Sequence, residues 1–200
     1  MKTRFWNHNT AYYSWVNRKT AHCHRILDVG CGDGTLACCL SHKDRVVIGL
    51  DISESCIDSA RRYEMGRNLY FEQCSFQEYE ALDGSFDAII FVASIHHMDF
   101  ESALLKAKRL LAKGGVLVIV GLASPSSIMD HVIDLCRVIP CYIGSKIHRM
   151  TSSEELGIPT SYAFPNLSNV RTVLRRYCCH VKVRYGLYWR YLVAWRKTSD

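Results

Sequence analysis

Two hundred residues with 48% hydrophobic content supply one globular domain with a sizeable interior, and no apolar run reaches the ~18 residues of a membrane span. The net charge of +6 is gathered late, in HVKVRYGLYWRYLVAWRK, where Lys182, Arg184, Arg190, Arg196 and Lys197 meet no acid. Ten cysteines include the adjacent pairs Cys38-Cys39 and Cys178-Cys179 but no C-x-x-C, so the usual zinc spacing is missing, no metal site is expected, and most thiols should be reduced and buried.

The opening MKTRFWNHNTAYYSW lacks the uninterrupted apolar core of a signal peptide, which sets the expectation of a cytoplasmic protein. Its dense aromatic and amide groups, Trp6, Asn7, His8, Asn9, Tyr12 and Tyr13, suit either a lid over a ligand or a helix packed through Tyr12 and Trp15. RILDV (25–29) predicts a buried strand, a glycine turn follows it, and TLACCLS begins a helix. RVVIGLD (45–51) predicts a second strand, and Ser53 is placed to cap a helix over ESCIDSARRYEM with Ile57 and Ala60 on one face. LYFEQ (69–73) and FDAIIFV (86–92) predict strands three and four. FESALLKAKRLLA (100–112) is amphipathic at helical spacing, ends at Lys113-Gly114-Gly115, and leads into strand five, VLVIVGL (116–122).

These strands are continuous apolar runs rather than alternating ones, so both faces are covered. That predicts an α/β fold with a doubly wound, mostly parallel sheet in three αβα layers, whose ligands sit at the carboxyl ends of the strands. A long segment, 123–166, carries prolines at 125, 140, 159 and 165. Within it SSIMDHVIDLCRVI can form a helix with Ile128, Val132, Leu135 and Ile139 on one side, either as ordinary packing or as a substrate cover. A helix from Ser168 to about Arg176 then precedes two antiparallel strands joined near Gly186. The expected division of this one domain is a lid segment 1–23, a core 24–122, an insertion 123–167 and a closing helix with its strand pair 168–200.

Chemistry concentrates in ILDVGCGDG (26–34). A dinucleotide turn reads G-x-G-x-x-G and receives a pyrophosphate, whereas Gly30, Gly32 and Gly34 read G-x-G-x-G, with Asp28 before them and Asp33 among them. Carboxylates beside a pyrophosphate repel it; they suit a ligand bearing an ammonium group. S-adenosylmethionine meets that requirement and has no phosphate. Glycines at 30 and 32 are expected to let backbone approach the ligand closely. Asp51, at the end of strand two, is placed to accept ribose hydroxyls, a role shared with NAD-binding sheets.

ILDVGCGDG, GLDIS, FDAIIFVASIHHMD and LLAKGGVLVIVG resemble the successive motifs of class I S-adenosylmethionine-dependent methyltransferases, in the broad group related to the quinone-biosynthesis enzymes. FWNHNTAYYSWV and LYWRYLVAW also resemble segments of a bacterial subgroup of uncharacterised members. The resemblance implies a seven-stranded sheet with an antiparallel last strand and S-adenosyl-L-methionine as cofactor. It places Asp28, Gly30, Cys31 and Gly32 at the methionine portion, Asp51 at the ribose, Ile52 against the adenine, and Val92 and Ala93 beside the sulfonium. Where the group often has an acid facing the adenine amino group, this chain has Ser75 and Phe76. It also implies a lid formed by the N-terminal segment, with Trp6, His8, Tyr12 and Tyr13 near the acceptor.

Methyl transfer is an in-line displacement, so holding acceptor and methyl in near-attack geometry supplies much of the rate. A hydroxyl or amine acceptor also needs a base, for which His97 and His96 at the end of strand four are the candidates; either can instead shape the pocket through hydrogen bonds. The expected activity is methyl transfer to a small molecule by a monomer or homodimer with no nucleic-acid partner. An RNA methyltransferase using the basic tail and a non-catalytic cofactor-binding protein are the rivals.

Overall fold

The computed structural model describes residues 7–63, 68–125, 130, 133, 141–142 and 164–198. After a short 3-10 turn (Thr10–Tyr12) come α1 (Tyr13–Lys19), β1 (Arg25–Val29), α2 (Thr35–Leu40), β2 (Val46–Asp51), α3 (Glu54–Arg61), β3 (Leu69–Gln73) and β4 (Phe86–Val92). A second 3-10 turn (Ile95–His97) leads into α4 (Phe100–Leu110), β5 (Leu111–Leu122), α5 (Leu167–Tyr177), β6 (Val183–Tyr185) and β7 (Arg190–Arg196). The strands form one sheet in the order β3-β2-β1-β4-β5-β7-β6. β1 through β5 pair in parallel, and β7 runs antiparallel between β5 and β6.

Alternation along the strands sends successive side chains to opposite faces, each covered by helices. On one face Ile26, Val47, Ala88, Ile90, Val118 and Val120 pack with Val16 of α1, Leu36 and Leu40 of α2 and Ile57 of α3. On the other, Leu27, Val29, Ile89, Phe91, Leu117 and Ile119 pack with Leu104 and Ala107 of α4 and Val170 and Leu174 of α5. This is the doubly wound three-layer arrangement expected from the apolar runs. Ser53 caps α3 by accepting from the Cys56 amide, as its place before that helix suggests, and Asp99 caps α4 through the Ser102 amide at 2.8 Å.

Two details differ from the sequence reading. α4 stops at Leu110 and β5 already begins at Leu111, opposite Phe86, with a register shift before Ala88. The reason is tertiary: Lys113-Gly114-Gly115 is drawn into the sheet by pairing with the end of the β7 segment, where Gly115 O accepts from Lys197 N and Gly114 N donates to Lys197 O. The basic tail does not present one face. Arg196 donates to Gly114 O, Lys197 donates to the carbonyls of Lys108 and Leu111, and Arg190 turns inward, leaving Lys182 and Arg184 exposed. The N-terminal segment is held down through Tyr12, Tyr13 and Val16, all buried. Trp6 and the apolar row Ile128, Val132, Leu135 and Ile139 lie outside the described residues. The nine described cysteines are free thiols. No helix among the described residues is long and apolar enough to cross a membrane.

Candidate active site

The sheet order reverses between β1 and β4, and a cavity of about 520 Å³ opens there at the carboxyl ends of the strands. Each of the turns that follow β1, β2 and β4 contributes to its wall, as does the segment before α1. Asp28, Gly30, Cys31, Gly32, Asp51, Ile52, Ser75, Phe76, Val92, Ala93, His97 and Tyr13 all line it. His96, His8 and Tyr12 do not: Tyr12 donates to Leu187 O at 2.7 Å, and His8 stacks on Tyr188 with 4.4 Å between ring centres.

Three consecutive glycines of the turn, 30, 32 and 34, have positive φ (71°, 55° and 75°), a conformation that side chains resist. The first two are glycine for different reasons. A Cβ at Gly30 would stand 2.3 Å from Ser94 Cβ, whereas a Cβ at Gly32 would meet nothing within 4 Å and would project into open space. Gly32 is thus open, while Gly30, which also lines the cavity, makes room for Ser94, whose hydroxyl donates to Val29 O. That contact ties the end of β4 to the end of β1 under the cavity floor. Ala93, just before it, is held at φ 54°, and such strain on a non-glycine residue clusters at functional sites.

Three carboxylates gather at this end. Asp51 anchors the turn, accepting from the Gly32 amide and the Ser53 amide, each at 2.9 Å, one on each oxygen. Each oxygen keeps a second lone pair for a ligand hydroxyl. Asp33 spends its oxygens on the Thr35 amide and hydroxyl, so its contribution to a ligand is charge. Asp28 is 1% exposed and its Oδ2 has no hydrogen-bond partner. Burial, then the charges of Asp51 and Asp33, push its carboxyl up to about pH 7. A buried polar atom without a partner is costly, and a cationic donor group is what would satisfy it. Burial, then the charges of Asp33 and Asp28, raise the Tyr13 hydroxyl, which stays protonated as a donor.

The wall beyond Asp51 is apolar. Ile52 is 72% exposed at the cavity edge, a large aliphatic side chain open to the cavity. Ser75 donates to Glu78 at 2.6 Å, and Phe76 is buried edge-on to Phe91 with Lys106 over its ring, so both build the wall. Gln77, exposed in the same wall, offers the amide that the sequence reading did not single out there. Asn7 and Asn9 also line the cavity, as do Cys56, Cys74, Ser94 and Met98. Nothing local marks the last four. They are brought in by α3, by the start of the segment after β3, and by the turn after β4.

The two histidines separate. His97 is exposed in the cavity wall, next to Met98. His96 lies against it, ring centres 4.1 Å apart, and edge-on to Phe164 at 5.4 Å. Burial, then the charges of His97 and Arg190, lower His96 to about 4, so at neutral pH it is an uncharged ring and a weak base.

Residues 26–115 match the family described as a methyltransferase domain. An uncharacterised methyltransferase of Mycobacterium tuberculosis is 28% identical over 197 residues, 96% of each chain. A ubiquinone biosynthesis O-methyltransferase of Thiobacillus denitrificans is 35% identical over 95 residues, 46% of this chain and 41% of that one. Among solved structures, the PH0226 protein of Pyrococcus horikoshii superposes with a TM-score of 0.67 at 18% identity, covering 94% of this chain and 89% of that one. The 1,6-didemethyltoxoflavin-N1-methyltransferase of Burkholderia thailandensis, solved with 1,6-didemethyltoxoflavin and S-adenosylhomocysteine bound, gives 0.64 at 14% identity over 96% and 78%.

Proposed function

We propose that this chain, a class I S-adenosylmethionine-dependent methyltransferase, transfers its methyl group to a small-molecule acceptor held between the turn after β4 and the segment before α1. S-adenosylmethionine, when bound, supplies an electrophilic methyl on a sulfonium. The carrying observation is Asp28: a buried carboxyl with one bare oxygen, backed by Asp51 and Asp33 on a glycine turn that leaves Gly32 open to the cavity. That end repels a pyrophosphate and suits an ammonium group.

In this reading Asp28 holds the ammonium, the spare lone pairs of Asp51 hold the ribose hydroxyls, and Ile52 covers one face of the adenine. Ala93 and Val92 border the reacting atoms. His97 accepts the acceptor's proton, and Tyr13 donates a hydrogen bond from beneath. A small acceptor is supported by the size of the cavity and by what a relative and a structural neighbour do, ubiquinone biosynthesis O-methylation and 1,6-didemethyltoxoflavin N1-methylation. Incubation with methyl-labelled S-adenosylmethionine and separate small-molecule and RNA fractions tests it. Label in the small-molecule fraction supports the reading. Label in RNA alone, or tight cofactor binding with no label transferred anywhere, overturns it.

A further inference from the structure

The segment before α1 carries two carboxamides whose orientation the fold decides. Asn7 Oδ1 accepts from the Asn9 amide at 2.9 Å and from the Thr10 amide at 3.0 Å, which spends both of its lone pairs. Asn9 Oδ1 accepts from Arg190 at 2.9 Å, and a guanidinium can only donate, so the oxygen is again the occupied end. Each side chain is thereby left with its NH2 group unspent. Both residues line the main cavity, and neither Nδ2 is buried or donates to anything among the described residues. The Tyr13 hydroxyl adds a third donor to the same lining.

These donors are neutral, and their surroundings decide what they can take. Asp28, Asp33 and Asp51 line the cavity, whereas no lysine or arginine does among the described residues. An anion would meet three acidic side chains and no lysine or arginine, so electrostatics turns it away. A carbonyl oxygen accepts the same hydrogen bonds without a net charge, and its two lone pairs match two donors. Leu36, Leu50, Ile52, Val92 and Met98 add apolar surface to the lining, which suits the body of an uncharged molecule. We propose that the acceptor is an uncharged molecule bearing a carbonyl oxygen, and that the NH2 groups of Asn7 and Asn9 hold this oxygen. Two fixed donors select through the penalty of leaving them unpaired, which a molecule of the same shape without the oxygen would incur. The inference rests on the small-molecule methyltransferase reading above.

The test uses the whole protein saturated with S-adenosylhomocysteine. Acetophenone, benzoate and benzylamine, the same ring bearing a neutral carbonyl, an anion or a cation, are titrated while the Asn7 and Asn9 side-chain NH2 resonances are followed. A saturable downfield shift with acetophenone, at least about tenfold weaker with benzoate and absent with benzylamine, is the expected result. No saturable shift with acetophenone, or an equal or tighter response to benzoate or benzylamine, overturns the proposal. In the label-transfer assay the methylated product should pass both anion and cation exchangers unretained. Asn7→Asp and Asn9→Asp each keep the oxygen that the fold uses and lose the donors. Each should raise KM for that acceptor at least about tenfold, with kcat changed little and S-adenosylhomocysteine affinity kept. Should S-adenosylhomocysteine affinity fall by about tenfold instead, the carboxamides hold the cofactor's own carboxylate and the proposal fails. A retained, charged product sinks the carbonyl site but leaves the methyltransferase reading intact. Absence of label transfer to any small molecule, with acetophenone binding intact, sinks that reading instead.

Discussion

Asp28 brings a carboxyl into the interior with one oxygen bare, and the pH response of the site follows from it. Its folded pKa of about 7 is raised above the ordinary carboxylate range, so between about pH 4 and 7 the native chain holds a proton that the unfolded chain has released. The sign is therefore that Asp28's contribution to stability falls as pH rises through that window. A bound ammonium favours the ionised form, so S-adenosylhomocysteine affinity should rise with pH up to about 7, by at most about tenfold per unit for one proton. Calorimetry at pH 6 and 8 in buffers of different ionisation enthalpy checks it: proton release at pH 6 is expected, and Asp28→Asn should abolish it. Asp51 does two jobs. Asp51→Ala removes the anchor of the Gly32 amide along with the proposed ribose contact, so cofactor affinity should drop by more than about tenfold and Tm should fall with it. His97→Ala separates chemistry from binding. It should leave S-adenosylhomocysteine affinity nearly unchanged and slow methyl transfer on the order of a hundredfold. An unchanged rate removes the base from the mechanism.

Elements place these residues through contacts no single element contains. The turn after β1 and the turn after β4 interlock at Gly30 and Ser94, where the absent Cβ of one is filled by the Cβ of the other. Gly30→Ala should destabilise the fold through two separable causes, a left-handed backbone costing ~1–2 kcal/mol for a side chain and the overlap with Ser94. Adding Ser94→Gly should return the overlap portion in urea unfolding but not the backbone portion. Full recovery, or none, would contradict the division. β5 shows the same dependence on neighbours: Lys113-Gly114-Gly115 reads as a helix end and a turn, yet pairing with Lys197 extends the strand across it. Local propensity there is weak, and two backbone hydrogen bonds from a distant strand outweigh it.

At the scale of the whole molecule, the ligand should act as part of the fold. The three carboxylates of the turn region repel one another until a cation arrives, so S-adenosylhomocysteine at a hundredfold above its Kd should add about 2.7 kcal/mol to stability. NAD at the same concentration should add none, because its pyrophosphate meets Asp28 and Asp33. Thermal unfolding with each ligand decides it; an NAD shift equal to that of S-adenosylhomocysteine would refute the electrostatic account of the site.

The sequence by itself determined the strand cores, their order in chain, the doubly wound class and the aspartate-flanked glycine turn that lines the cavity. Those features are written in a few neighbouring residues each: unbroken apolar runs, a capping Ser53, a G-x-G-x-G turn with its flanking aspartates, and Asp51 closing its strand. Periodicity and turn chemistry act over short distances, and so they can be read without the fold. Tertiary structure alone decided which of two adjacent histidines faces the cavity, that the missing Cβ of Gly30 makes room for Ser94, and that Arg190 leaves the basic tail to meet Asn9, 181 positions away. A one-residue choice on a 3-10 turn or a strand carries no periodic signature, and the energy of burying a charge depends on what the rest of the chain brings beside it.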